Sequence, residues 1–388
     1  MNLPLSTHTL GELCKVIAGG TPSRSRPELY GGNIPWVKIG DMLQGTIRTT
    51  EEYITETALL ESAAKLLPAN TVLLSIFATI GRTAVLARPS ATNQAIVGIV
   101  PNDRRLDAHY LRQFLDFAAP QLASQGRGVA QNNINSSILK ALKVPLPPLE
   151  DQKRIAALLD KADALRRKRQ EALRLTDGFL RASFLDMFGD PLTNTRQLPM
   201  KPLREFGEIV TGNTPPRSEP ENFGSAVEWI KSDNINTPNY YLTPAEERLS
   251  SLGAAKARKV PANSILVTCI AGSPSCIGNV ALTNREVAFN QQINAVVPAQ
   301  NTDPFFLFTQ LLVGKQKIQN ASTNGMKGMV SKGTFSEIEF LAPPEAKQRE
   351  FGNIFRHIEE LHRKNEDAFT ATETLFSALQ QRAFSGEL

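Results

Sequence analysis

Residues 144–173 read VPLPPLEDQKRIAALLDKADALRRKRQEAL, and residues 341–369 read LAPPEAKQREFGNIFRHIEELHRKNEDAF. Pro145, Pro147 and Pro148 break regular structure, because proline fixes φ and offers no backbone donor. A long charged segment without glycine or proline follows at once. Glu150 and Asp151 near its start suit the positive end of a helix dipole. A helix over 150–185 spans about 54 Å at 1.5 Å per residue. The chain stops, starts a long helix, and does so again about 196 residues later.

Working outward, most of the chain repeats. LGELCKVIAGGTPSRSRPELYGGNIPWVKIGDM (10–42) aligns without a gap to LREFGEIVTGNTPPRSEPENFGSAVEWIKSDNI (203–235), at an offset of 193. Leu10, Gly19, Thr21, Pro22, Arg24, Trp36 and Lys38 fall on Leu203, Gly212, Thr214, Pro215, Arg217, Trp229 and Lys231. The only two tryptophans are therefore repeat partners. PANTVLLS (68–75) matches PANSILVT (261–268), and TNQAIVGIVP (92–101) matches FNQQINAVVP (289–298) at an offset of 197. A colinear match of this extent indicates duplication.

Each half then has one plan: a globular part of about 145 residues and a long helix. TVLLSIF, TAVLA and AIVGIVP are short β-branched runs bounded by turn residues, hence strands. Residues 106–123 and 304–319 carry helical periodicity. The expected fold is α/β (α+β): two repeated, mostly-β domains separated by two long antiparallel coiled-coil helices, related by a pseudo-two-fold. Its parts are a first domain at 1–148, a long helix at 149–190, a second domain at 191–343 and a second long helix at 344–388.

Stepping 3, 4, 3, 4 from Ile155 gives Leu158, Ala162, Leu165, Arg169, Ala172, Thr176, Phe179 and Ser183. From Phe351 it gives Ile354, Ile358, Leu361, Asn365, Ala368, Thr372, Leu375 and Leu379. This is a heptad seam in the same phase in both repeats. Arg169 and Asn365 are the polar residues at its middle, and an antiparallel pairing about that centre brings them together. RRKR (166–169) reads either as a solvated helix face or as a contact with DNA phosphate or a partner protein.

Composition bounds the function. The net charge is +5 and the pI is near 9.1, a mild excess that favours nucleic acid weakly. Residues 1–150 carry 14 Lys and Arg against 11 Asp and Glu, and the tail 345–388 carries 6 against 8. A hydrophobic content of 41% and a mean hydropathy of -0.21 describe a globular chain. No window reaches a spanning length of apolar residues, and the N-terminus lacks the pattern of a signal peptide, so a cytoplasmic protein without membrane contact is expected. Cys14, Cys269 and Cys276 are too scattered for a disulfide framework or a zinc site, and His357 and His362 stand five apart. No metal and no cofactor are expected.

No phosphate-binding loop, dinucleotide fingerprint, nucleophile elbow or clustered nuclease carboxylates appear. These absences together point to a binding protein with no catalytic residues. The positive candidates lie on loops. Arg24, Arg26 and Lys38 in the Gly- and Pro-rich segment supply phosphate donors, with Arg217 and Lys231 at matching places. Arg82 closes the loop at 76–82. SQGRGVAQNNIN (124–135) offers Arg127, Gln131 and Asn132; QNASTNGMKGMVSK (319–332) offers Asn324, Lys327 and Lys332. Amides and cations of this kind read base edges or phosphates, although an ordinary polar loop has the same composition. Asn93-Gln94 and Asn290-Gln291 recur and read equally as structural hydrogen-bonders.

Together GGTPSRSRPELYGGNIPWVKIGDM, TNQAI and the twice-used proline-to-helix stretch resemble the specificity subunit of type I restriction–modification systems, over essentially the whole chain. The resemblance implies two target-recognition domains, each reading half of a split double-stranded DNA target, with the paired helices as spacer. It implies partners as well: two modification (methyltransferase) subunits and restriction (translocase and nuclease) subunits, with no catalysis in the chain itself. The loops at 43–60 and 236–253 differ, and 269–278 is longer than 76–82, so an asymmetric target is expected. Other readings are the specificity protein of a related restriction system with different partners, an enzyme with an unrecognised site in the domain clefts, and a coiled-coil assembly protein.

Overall fold

The computed structural model describes residues 6–77, 79–102, 104–126, 134–237, 239–323 and 328–388. Two compact units emerge, one formed by residues 1–169 with 368–388 and the other by residues 170–367.

The first unit is built on a five-stranded sheet. Its strands are β1 (Cys14–Ala18), β2 (Thr46–Ile47), β3 (Val72–Ser75), β4 (Thr83–Leu86) and β5 (Ile96–Pro101), in the order β1-β5-β3-β4-β2. Every pairing is antiparallel except β2 with β4. The near-continuous Val, Leu and Ile runs of β3, β4 and β5 follow from burial on both faces. A second sheet joins Glu52–Ile54, Tyr30–Val37 and Ala91–Thr92. Helix α1 (Ala108–Gly126) covers the first sheet through Leu111, Phe114 and Leu115. Thr7–Thr9 pairs with Lys143–Pro145, and the prolines then release the chain into α2 (Leu149–Phe188).

The second unit repeats this plan with β6 (Gly207–Thr211), β7 (Ile265–Thr268), β8 (Val280–Leu282) and β9 (Ile293–Pro298), in the order β6-β9-β7-β8. Helix α3 (Pro304–Val313) lies on this sheet, and Met200–Pro202 pairs with Glu339–Leu341 before α4 (Glu345–Ser385) begins. Its core is rich in phenylalanine: Phe184, Phe188, Phe306 and Phe351 meet with ring centroids 5.0–5.8 Å apart. No described helix is long and apolar enough to cross a membrane.

Within each unit, segments of α2 and α4 pack antiparallel. In the first, Arg166 Nη1 meets Glu373 Oε1 at 3.1 Å. In the second, Phe184 packs on Phe351, and Asn365 Nδ2 donates to Thr176 Oγ1 at 3.3 Å. The seam differs from the heptad expectation. Ile155 and Phe351 are buried and Ile354 is half-buried, but Leu158, Leu165, Leu361 and Arg169 are exposed. Thr176, Ile358 and Thr372 of the seam are buried as expected, while elsewhere the inward residue is one later: Leu159, Arg166, Leu173 and Leu180, and in the repeat Phe355 and His362. The reason is tertiary. The inward stripe faces both the opposing helix and the helix of its own domain, since Leu159 joins Leu111 and Leu115 in one core while Phe355 stacks on Phe305 at 4.9 Å. The stripe runs through Ile155, Leu159, Ala162, Arg166, Leu173, Asp177, Leu180, Phe184 and Phe188. That is close to an 11-residue repeat of about 3.67 per turn rather than 3.5. Asn365 is engaged by Thr176, another residue of the expected seam.

Candidate nucleic-acid interface

The Gly- and Pro-bearing loop is locked before it carries any function. Gly19 lies so close to the Thr92–Asn93 backbone that a Cβ would fall 2.1 Å from the Asn93 carbonyl oxygen. Gly212 does the same against Asn290 O at 2.2 Å. Trp36 is buried, and its Nε1 donates to Gly20 O at 3.1 Å; Trp229 Nε1 donates to Asn213 O at 3.2 Å. Thr21 hydrogen-bonds Gln94, and Thr214 hydrogen-bonds Gln291. Asn93 Oδ1 and Asn290 Oδ1 accept from the backbone two residues on. The repeated Asn-Gln pair thus ties one loop to the other.

On this frame sit the expected cations, each with an internal carboxylate. Arg24 lies over Tyr30 and Trp36, at 4.5 and 5.2 Å from the ring centroids, and forks onto Glu52 at 2.8 and 3.2 Å. Lys38 Nζ reaches Glu51 at 2.8 Å and Glu52 at 2.9 Å. Arg24 and then Lys38 hold the Glu52 carboxyl below its ordinary range. The second unit reproduces the device: Arg217 lies over Phe223 and Trp229, and Glu247 takes Arg217 at 3.0 Å and Lys231 at 3.4 Å. Arg26 pairs with Glu28 and Glu61, whereas the repeat inverts the charges, with Glu219 on Lys256 at 2.6 Å. A DNA phosphate would compete with these carboxylates for the same donors.

The remaining candidates are spread over the surface. Arg82 donates to Ile39 O at 3.3 Å and lines a groove against α2 and α4. Lys332 is exposed at the start of a short helix capped by Ser331, next to a ribbon in which Gly328–Met329 pairs with Ile270–Ala271. That ribbon joins the two loops of the second half, 269–278 and 319–332, in one place. Arg127, Gln131, Asn132, Asn324 and Lys327 lie outside the described residues. Among the described residues, no group of three or more His, Cys, Asp or Glu is placed to hold a metal ion.

Sequence reasoning missed several residues. Glu52 and Glu247 gather the repeat-matched cations, and their 195-residue offset was the available signal. Gln152 and Gln348 anchor the two long helices; both sit at the same place after the prolines. Asp177 joins Tyr240 and His362: it accepts from Tyr240 OH at 2.6 Å and lies 3.4 Å from His362 Nε2. Burial, then the Asp177 carboxylate, push the Tyr240 phenol up.

The profile of the type I restriction modification DNA specificity domain matches residues 4–175 and again 198–368. The chain belongs to the type I restriction–modification DNA specificity family. The two matched copies coincide with the two halves found from the repeat, so each specificity domain carries one Trp-Arg-Lys-Glu cluster. A relative, the type I restriction enzyme EcoR124I/EcoR124II specificity subunit of Escherichia coli, is 33% identical over 172 residues, covering 42% of this chain and 42% of that protein. The match thus spans about two fifths of that relative's length. The S subunit of a type I restriction–modification system from M. genitalium has the same fold, with a TM-score of 0.62 at 14% identity over 99% of this chain and 96% of that one. A chain from a structural study of assembly and conformational transition in the type I system gives 0.56 at 18% identity, covering 99% and 98%.

Proposed function

We propose that this specificity-family chain is the DNA-reading subunit of a type I restriction–modification complex. Residues 1–148 and 191–343 each read one half of an asymmetric bipartite target. The helices at 149–190 and 344–388 set the gap and carry two modification subunits, with restriction subunits joining them. The chain performs no catalysis and works in the cytoplasm. The reading rests on one observation above others, the presence of a specificity domain in each half with loops that differ between halves. Different loops on one frame read different bases. A pseudo-two-fold would set the half-sites on opposite strands, as duplex symmetry asks.

Sequencing of methylated bases in the host, with and without this gene, tests it. Loss of one split motif is the expected result; an unchanged pattern in a host whose partner subunits are expressed would overturn it. Exchanging residues 1–148 for another recognition domain should alter one half-site and leave the other.

A further inference from the structure

The two halves differ at one place in a way that the shared frame makes measurable. In the second unit, Tyr240 O accepts from Leu282 N at 2.8 Å, and Tyr241 bridges Leu282 in parallel. In the first, Gly45 O accepts from Val85 N at 2.8 Å, and Thr46 pairs with Val85 in parallel. Leu282 and Val85 are repeat partners, so Gly45 stands where Tyr240 stands. The surroundings correspond too, at an offset of 196: Asp177 to Glu373, His362 to Arg166, Leu180 to Phe376.

Tyr240 fills its place. It is 7% exposed, its hydroxyl donates to Asp177, and its ring lies 4.7 Å from His362 and 5.6 Å from Phe355. The hollow left beside it is about 220 Å³. At Gly45 a Cβ would find only Arg167 Nη1, at 3.9 Å. The groove there is about 690 Å³. Glu373, paired to Arg166, and Phe376, under the Arg166 guanidinium at 5.6 Å, are the counterparts of groups that hold Tyr240 or its neighbours. Leu43, also on the groove, is 68% exposed, an apolar landing for something larger than a ring. Four arginines (82, 112, 166, 167) and three carboxylates (116, 163, 373) line it, and Arg112 is held behind the wall by Asp160 at 2.6 Å, so the cations left facing the groove are Arg82, Arg166 and Arg167.

We propose that this groove is a socket for a tyrosine side chain from an acidic segment of a partner polypeptide. The ring occupies the place that Tyr240 takes in the other half, with its hydroxyl donating to Glu373, and acidic neighbours face the arginines. The inference stands apart from DNA reading: it can fail while the target specificity is intact.

Replacing Gly45 itself is a poor test, because its φ of +69° strains any other residue. Instead, the full chain, labelled at methionine methyls so that Met42 reports on the groove, is titrated with N-acetyl-tyrosinamide, N-acetyl-phenylalaninamide and an Asp-Tyr-Glu peptide. The expected order is peptide, then tyrosinamide, with the phenylalanine analogue about tenfold weaker than tyrosinamide, as loss of a hydrogen bond to a charged group implies. Glu373→Gln should erase that tenfold difference, and Ser377→Trp, which fills the groove, should erase the shifts at an unchanged unfolding midpoint. Absence of saturable shifts, equal binding of both analogues, or binding that survives the filled groove would overturn the socket. A peptide no tighter than tyrosinamide would overturn the polypeptide as its source. A second measurement is independent of the first half: Tyr240→Gly should open the matching groove, and p-cresol should raise that variant's unfolding midpoint but not the wild type's. No such rescue would also count against the proposal.

Discussion

The Gln152 side chain accepts a hydrogen bond from the Asp107 backbone N–H at 2.9 Å while its amide donates to Pro147 O at 2.8 Å and Arg105 O at 2.7 Å. One buried side chain therefore joins the start of a long helix, the proline turn before it and the edge of the helix α1 segment. Gln348 repeats the arrangement with Asp303 N at 3.3 Å and Pro343 O at 2.9 Å. Truncation strands two or three buried backbone groups. We expect Gln152→Ala and Gln348→Ala each to cost about 2–4 kcal/mol, each in its own unit. Urea unfolding followed by fluorescence in Trp229→Phe and Trp36→Phe backgrounds, each keeping one tryptophan, reports the two units separately. A loss below about 0.5 kcal/mol at either site would contradict the anchoring role.

Acid should loosen the second unit through Glu228. Its side chain is 10% exposed, and the Arg285 guanidinium, then the Ala245 backbone N–H, hold its carboxyl below the ordinary 4.5. A depressed folded-state value contributes stability above pH 4.5 and loses it as pH falls through the lower folded value. The repeat has Pro35 at this place, so the first unit lacks the device. Glu228→Gln should cost about 2 kcal/mol at pH 7. Wild type and variant should converge as the pH drops below 4.5. An equal gap at pH 7 and pH 3, read by Trp229, would rule the carboxylate out as the cause.

The repeat made the fold legible. Trp36 and Trp229, the paired strand runs and the proline-to-helix turns each had a partner to check against, and the sheets lie where those partners put them. The helix seam was half legible. Leu158 and Leu159 are adjacent leucines, so no sequence pattern says which one turns inward; the α1 surface decides for Leu159. The carboxylates of the loop clusters were hidden differently. Glu52 and Glu247 lie in segments whose lengths differ by two residues, so the alignment lost register before reaching them. Gly45 and Tyr240 share no chemistry at all; only backbone hydrogen bonds reveal that they are equivalent.

Glu52 also decides how much charge the first domain would show to DNA in the proposed role. It holds Arg24 and shares Lys38 with Glu51. Glu52→Gln should free Arg24 while Lys38 stays on Glu51, tighten non-specific DNA binding at low salt, and steepen the salt dependence by a slope of up to about 1. The pairs are partly exposed, so stability should fall by less than about 1 kcal/mol. Binding isotherms at several salt concentrations decide it. An unchanged slope would mean that Arg24 faces away from the phosphates and serves only to brace Tyr30 and Trp36.

The inward stripe of α2 predicts a sharp contrast between neighbouring residues. Leu159 and Leu180 are fully buried, whereas Leu158 is 38% and Leu165 is 43% exposed. Leu159→Ala and Leu180→Ala should each cost about 2–5 kcal/mol, because the cavity each leaves is fixed by the domain's own helix on one side, α1 for Leu159 and α3 for Leu180, and by the opposing helix on the other. Leu158→Ala and Leu165→Ala should stay within about 0.5 kcal/mol in the isolated chain, since alanine and leucine have similar helix propensity and little area is lost. The same four variants measured after partner subunits are added separate packing from docking. If Leu158→Ala and Leu165→Ala weaken assembly while leaving the free chain unchanged, the exposed leucines serve a partner. If they destabilise the free chain as much as Leu159→Ala, the stripe is a heptad after all and the 3.67 period is wrong.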